Sequence, residues 1–254
     1  MYPLLFDIAG FTVKTYHVFM ALGIIAGFIA LHLNLRKSGP GNYRRTMIFA
    51  AVIFVPFIFG ARAGYLLECL ITRSPFCVNG HWYDLFGPVS LWWGLVLAVL
   101  CAFPAAKALK TDVWETADIF SPSIALGGFF IRIGCFFNGC CFGTACSEDF
   151  PFAVVFPVVP YDPAAEIFRY PVQLYSSLSW LIIFIILSWR AKRRAFKGEI
   201  ILDMAVLFSF FNFFIEFYRY HIVRSPVSTS QMFSIFIMII ALSLYYYFLK
   251  KGNK

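Results

Sequence analysis

The sequence predicts an all-α integral membrane protein, and three observations carry that reading. Of 254 residues, 61% are hydrophobic and only 13% charged, where a soluble domain of this length carries about 25% charge. The apolar residues, 32 Phe among them, fall in runs long enough to cross a bilayer. The basic residues behind the formal charge of +8 lie between those runs, where headgroups and membrane orientation account for them. Disordered, fibrous and disulfide-stapled secreted chains are excluded, and no nucleic-acid-binding pattern is present.

A hydrocarbon core of about 30 Å needs about 20 apolar residues per helix. Seven stretches meet this: Tyr16–Leu35, Thr46–Leu67, Val89–Ala106, Asp118–Phe137, Gln173–Leu187, Ile200–Phe217 and Gln231–Leu249. The first lacks a basic n-region and a small-x-small site, so it reads as a permanent helix rather than a cleaved signal. Arg36, Lys37, Ser38, Gly39, Pro40 and Gly41 read as a turn. The long segment at about 138–172 reads as an outer-side cap loop of one polytopic domain over 1–254.

Orientation follows from Lys and Arg. On one side lie Arg36, Lys37, Arg44, Arg45, Lys107, Lys110, Arg190, Lys192, Arg193, Arg194, Lys197, Lys250, Lys251 and Lys254; on the other lie only Lys14, Arg73, Arg169, Arg219 and Arg224. The richer side faces the cytoplasm, which puts the N-terminus outside and the C-terminus inside. Asp118 and Asp203 then open helices at the inner side, where a carboxylate suits the helix dipole.

Arg62 and Arg132 fall inside spans, where a charge is costly and marks function by default. At about 1.5 Å per residue they lie roughly 24 and 21 Å above the inner surface, and Glu216 with Arg219 about 24 to 28 Å along span six. Tyr16 and His17 open span one from outside, and Gln173 and Tyr175 open span five. Polar groups thus gather in the outer half of the membrane. The bland alternative is structural pairing of the arginines with Glu68, Glu216 or a carbonyl.

Residues 123–146 read SIALGGFFIRIGCFFNGCCFGTAC. Gly127, Gly128 and Gly134 around Arg132 let a helix or a headgroup approach the backbone, and Asn138 with Gly139 breaks the helix. An arginine fork here suits an anionic phosphate.

At these residues the sequence resembles the prolipoprotein diacylglyceryl transferase family. Tyr16, the stretch Gly60, Arg62, Gly64 and Tyr65, and the signature-like Arg132, Gly134, Asn138, Gly139 and Gly143 carry the resemblance. Pro171, Gln173, Leu174 and Tyr175 extend it, as do Glu216, Arg219 and Gln231. It implies transfer of a diacylglyceryl group from phosphatidylglycerol, or another anionic phospholipid, to the lipobox cysteine thiol of a secreted preprotein, in a bacterial cytoplasmic (inner) membrane with the active site towards the outer side. Arg132 and Arg219 would hold the leaving phosphate, with Tyr16 a third catalytic residue. Arg62, Gly134, Asn138, Gly139, Gly143, Gln173, Tyr175 and Glu216 would form the substrate site. No cofactor is implied.

Departures accompany the resemblance. Trp92 stands where the family has a histidine, Cys135 and Cys140 replace the signature's first asparagine and its glutamate, Thr144 replaces its last arginine, and Ser176 a later glutamate. The general base is thus lost or moved, and His17 is the nearest histidine, since His32 is near the inner side and His81 and His221 are in loops. Two further readings follow: a divergent member with another donor or acceptor, and a non-enzymatic thiol- or lipid-handling membrane protein.

Of seven cysteines, only Cys101 lies well within a span; Cys69, Cys77, Cys135, Cys140, Cys141 and Cys146 lie at or beyond the outer surface, where disulfides are permitted. A bridge from Cys69 or Cys77 to the 135–146 cluster is expected. Cys135 and Cys140 are the candidate functional thiols, since a thiol beside Arg132 holds more thiolate. The spacing C-x4-C-C-x4-C is not a usual zinc pattern, and no metal is assigned.

Overall fold

A computed structural model describes residues 4–8, 11–36, 40–72, 90–156, 167–220 and 227–252. Arg73, Cys77, His81, Trp82, Asp162, Glu166, His221 and Arg224 lie outside the described residues, as does the side chain of Glu68. The described elements are β1 Leu4–Ile8, β2 Phe11–Lys14, α1 Thr15–Arg36, α2 Pro40–Thr72, α3 Leu91–Leu109, α4 Val113–Asn138, β3 Val154–Val155, β4 Phe168–Arg169, α5 Val172–Arg190, α6 Glu199–Glu216 and α7 Thr229–Gly252.

Apart from short strands the described residues are all-helical in class, and among them six helices are long and apolar enough to cross a membrane: α1, α2, α3, α4, α5 and α7. The chain is a multi-pass membrane protein. The seventh expected span, α6, coincides with a helix but carries Glu199, Asp203 and Glu216 in 18 residues, too much charge for the same criterion. Val55, Phe59, Leu70 and Tyr246 are each about two-thirds exposed or more, as side chains facing lipid should be. Of the expected turn, Pro40 and Gly41 already belong to the start of α2, and residues 37–39 lie outside the described residues. Proline suits a first helical position, where its missing N–H goes unused.

The helices group into two compact units. Leu35–Thr116 holds α2 and α3, which pack along small residues. A Cβ on Gly94 would come within 2.8 Å of the Phe57 carbonyl oxygen, and one on Gly60 within 2.9 Å of the Trp93 carbonyl oxygen. One on Gly64 would overlap Trp93 at 2.1 Å. The glycines of the Gly60–Tyr65 stretch therefore set helix separation here. Ser90 N–H donates to the Ala61 carbonyl at 2.9 Å, and Asp112 caps the start of α4 by accepting from the Trp114 and Glu115 amides.

The second unit, Met1–Asn34 with Ala117–Lys254, opens with the antiparallel β1–β2 hairpin, a feature absent from the sequence expectations. Its core is Ala125, Ile183, Leu187 and Ile200, with Trp180 and Phe208 stacked beside it. Gly23 of α1 meets Gly127 of α4, and Gly128 meets the Trp180 ring. Gly134 meets Phe19 and Tyr16. Protein, not a headgroup, fills all three glycine notches of α4.

At the far end of this unit a polar cluster joins four helices. Arg190 bonds Glu199, Tyr245 and, at 2.6 Å, Asp203. Asp118 does not open its own helix, as expected from sequence: α4 starts at Val113, and Asp118 instead accepts the amides of Gly198 and Ile201 at the start of α6. Its dipole role stands, transferred to a neighbouring helix. Asp203 serves an ion pair rather than a helix start.

A candidate active site around Arg132 and three thiols

The site lies in the second unit, where α4 ends. Asn138 is the last residue of α4, and Gly139 follows at φ +71°, the left-handed conformation that closes helices. The Cys140 amide reaches back to the Cys135 carbonyl at 3.2 Å. Cys141 also takes a positive φ of 59°, which is rare for a residue with a Cβ. This turn folds Cys140 and Cys141 back over Cys135.

All three sulfurs lie within 4.8 Å of one another. Cys135 is buried, Cys140 half-buried and Cys141 exposed, and none of the three is in a disulfide, nor is Cys146. Cys69 is disulfide-bonded, so the expected bridge from Cys69 to the cluster does not exist. The clustered thiols find each other instead. Cys141 belongs with Cys135 and Cys140, a membership sequence reading missed because it needs the turn at Gly139.

Hydrogen bonds from the Cys135 and Cys140 thiols hold the Cys141 thiol well below its usual range, with Arg132 and Arg219 adding to the effect. At Cys140 the bond to Cys135 lowers the value, but the Cys141 thiol and burial outweigh it and push Cys140 up to about 11. Arg132, from α4, and Arg219, just past α6, therefore act on one sulfur. Tyr16 of α1 feels the same three cysteines and Arg132. His17 stacks edge-on against Tyr16, with ring centroids 6.0 Å apart.

The two arginines differ in their partners. Arg132 makes no hydrogen bond or ion pair among the described residues, so its fork is available. Arg219 pairs with Glu216 at 3.1 Å, and Glu216 also accepts from the Ser228 hydroxyl at 3.2 Å. Glu216 is thus a holder of Arg219. Gln231 caps α7, its Oε1 accepting from the Ser228 amide.

Gln173 is fully buried, and its Nε2 donates to the Cys140 carbonyl at 2.8 Å. Its amide nitrogen is committed to fixing the cysteine turn, while Oε1 has no hydrogen-bond partner among the described residues. Tyr175 stands two residues on, half-buried. Ser176, at the position of a family glutamate, is buried, and its carbonyl accepts from the Ser179 hydroxyl. Arg62 belongs to the other unit, where it is 9% exposed and lies 5.7 Å from the Tyr65 ring centroid.

The described residues that follow α4 are held by backbone pairing. Gly143 forms a β-bridge to Arg219, Ala145 one to Arg169, and β3 pairs with β4. A Cβ on Gly143 would lie 2.5 Å from the Tyr170 carbonyl oxygen and 2.8 Å from that of Tyr218, so only glycine fits between these strands. Thr144, in place of the family arginine, donates its amide to Tyr218 at 2.8 Å. Arg169, counted in the sequence as a loop charge, is 3% exposed and lies against the rings of Phe142 and Tyr220, 4.7 and 5.0 Å from their centroids. Nothing in its sequence neighbourhood marks it as buried.

Comparison with known proteins gives a consistent picture. The family model "Prolipoprotein diacylglyceryl transferase" matches residues 3–247. A phosphatidylglycerol–prolipoprotein diacylglyceryl transferase of Clostridium tetani is 29% identical, covering 96% of this chain and 97% of its own length. The second such transferase of Clostridium perfringens is also 29% identical, with coverage of 98% and 96%. A third from Clostridium kluyveri is 28% identical over 100% of this chain and 99% of its own. With a family match running from the hairpin to the last helix, the chain belongs to the prolipoprotein diacylglyceryl transferase family.

Proposed function

We propose that this chain transfers a diacylglyceryl group from phosphatidylglycerol to the lipobox cysteine of a secreted prolipoprotein, in the outer half of a bacterial inner membrane. In this reading α6 is a seventh span, its charges at its ends, with the N-terminus outside and the C-terminus cytoplasmic. The observation that carries the function is that Arg132, unpaired among the described residues, and Arg219 both act electrostatically on the Cys141 thiol. Two guanidiniums acting on the same group suit the phosphate that gathers charge as the glyceryl carbon–oxygen bond breaks, and preorganised donors aimed at developing charge are a large catalytic contribution. Tyr16 orients the donor beside Arg132, and Gln173 and Glu216 hold the cysteine turn and Arg219 in place.

The test uses the purified chain in nanodiscs with phosphatidylglycerol and a lipobox peptide. Mass spectrometry should show a diacylglyceryl gain on the peptide, with glycerol phosphate released. Arg132→Ala should lower the rate by about 100-fold or more. No gain, alongside an active relative, would sink the assignment and send the search to another donor or acceptor.

A further inference from the structure

The three sulfurs of Cys135, Cys140 and Cys141 stand closer together than lipid binding requires. They lie within 4.8 Å of one another. Around zinc, with bonds of about 2.3 Å, tetrahedral sulfurs sit about 3.8 Å apart, within reach of small side-chain rotations. The turn that gathers them is held from two sides: the Cys140 amide bonds α4, and Gln173 of α5 bonds the Cys140 carbonyl. Cys141 is kept in a positive φ, a costly conformation that persists where the surroundings impose it. Among the described residues no carboxylate or imidazole shares the cluster, and the set is purely soft, which selects zinc or copper(I). Two guanidiniums nearby offset the net negative charge of three thiolates around Zn2+.

We propose that Cys135, Cys140 and Cys141 bind one zinc ion and leave its fourth position to the thiol of the acceptor cysteine. This rests on the transferase reading above. Three protein ligands with one open position are the arrangement of catalytic zinc. The acceptor thiol binds as thiolate and gives its proton to water. Its sulfur attacks the glyceryl carbon of phosphatidylglycerol; the S–C bond forms, the C–O bond to phosphate breaks, and the electron pair departs with glycerol phosphate beside Arg132 and Arg219. Zinc neither gains nor loses electrons. It makes the nucleophile at neutral pH, the task left without a histidine at Trp92. The same chain that lacks that histidine has cysteines at two signature positions and a third beside them.

The experiment measures metal in the full-length protein by mass spectrometry and titrates cadmium into chelator-treated protein, following thiolate-to-cadmium absorption in the ultraviolet. One zinc per chain is expected, and a cadmium band of three thiolates that grows by about one-third with a lipobox peptide, for four ligands in place of three, but not with its Cys→Ser form. Cys135→Ser or Cys141→Ser should lower metal retention by about tenfold or more, and Cys146→Ser should leave it unchanged. Absence of zinc and of the cadmium band overturns the proposal, as does copper(I) with no added peptide signal, which would be a closed three-thiolate site. The chelated wild type needs no substitution, so a folding defect in a variant cannot decide the outcome. Transfer is read separately. If it survives zinc removal, the transferase reading stands and the zinc role falls; if metal and peptide signals appear without any transfer, the thiol site stands and the transferase reading falls.

Discussion

At the scale of single residues, the site depends on Gly139 and Cys141, whose positive φ angles turn the chain back over Cys135. Bonds from the Cys135 and Cys140 thiols, then Arg132 and Arg219, hold the Cys141 thiol low. A lowered value means that thiolate persists as pH falls. In chelator-treated protein, iodoacetamide labelling of Cys141 should stay nearly constant from about pH 8 down to about 6, below the ordinary thiol value of about 8.5. Cys140, pushed up to about 11, should stay silent over that range. Peptide mapping by mass spectrometry reads both, and a Cys141 rate that drops tenfold per pH unit from 8 would contradict the assignment. Arg132, Gly134, Asn138 and Gly139 were legible in sequence because a charge in an apolar span and a helix break announce themselves. Cys141 and the buried Arg169 were not, since their places depend on backbone geometry and on partners far along the chain.

At the scale of elements, helices were the most legible feature. In lipid every backbone polar group must be satisfied within the segment, so hydropathy and helix coincide, and all seven expected stretches overlap helices. The two strand pairs escaped because strands of two to five residues leave no periodic signal. The roles of end residues were also hidden. Asp118 looked like a helix opener for α4, yet it receives two amides from the start of α6 and pairs with Arg194 at 3.6 Å. Since Asp118 is 3% exposed, Asp118→Ala would leave those donors buried and should cost about 3 kcal/mol or more. Chemical unfolding in detergent measures the loss; a change under about 0.5 kcal/mol would mean that water replaces the carboxylate. Asn212 donates to both Ser230 and Ser234, which fixes α6 against α7 by the interhelical polar bonds that membranes favour.

At the scale of the whole molecule, the Lys and Arg bias predicts orientation, a property of all loops together. A C-terminal green fluorescent protein fusion should fluoresce and a C-terminal alkaline phosphatase fusion should be inactive, as the positive-inside rule requires. The reverse pattern would move the cysteine turn to the cytoplasmic side and exclude a secreted acceptor. The pairing of Gly143, Ala145, Arg169 and Arg219 has a further consequence. Amides of Gly143, Thr144, Tyr170 and Tyr220 bond carbonyls of Tyr170, Tyr218, Thr144 and Phe142, stitching three segments that are distant in the chain. These amides therefore exchange their hydrogens with solvent as one cooperative unit, and the floor beneath the thiols opens all at once or not at all.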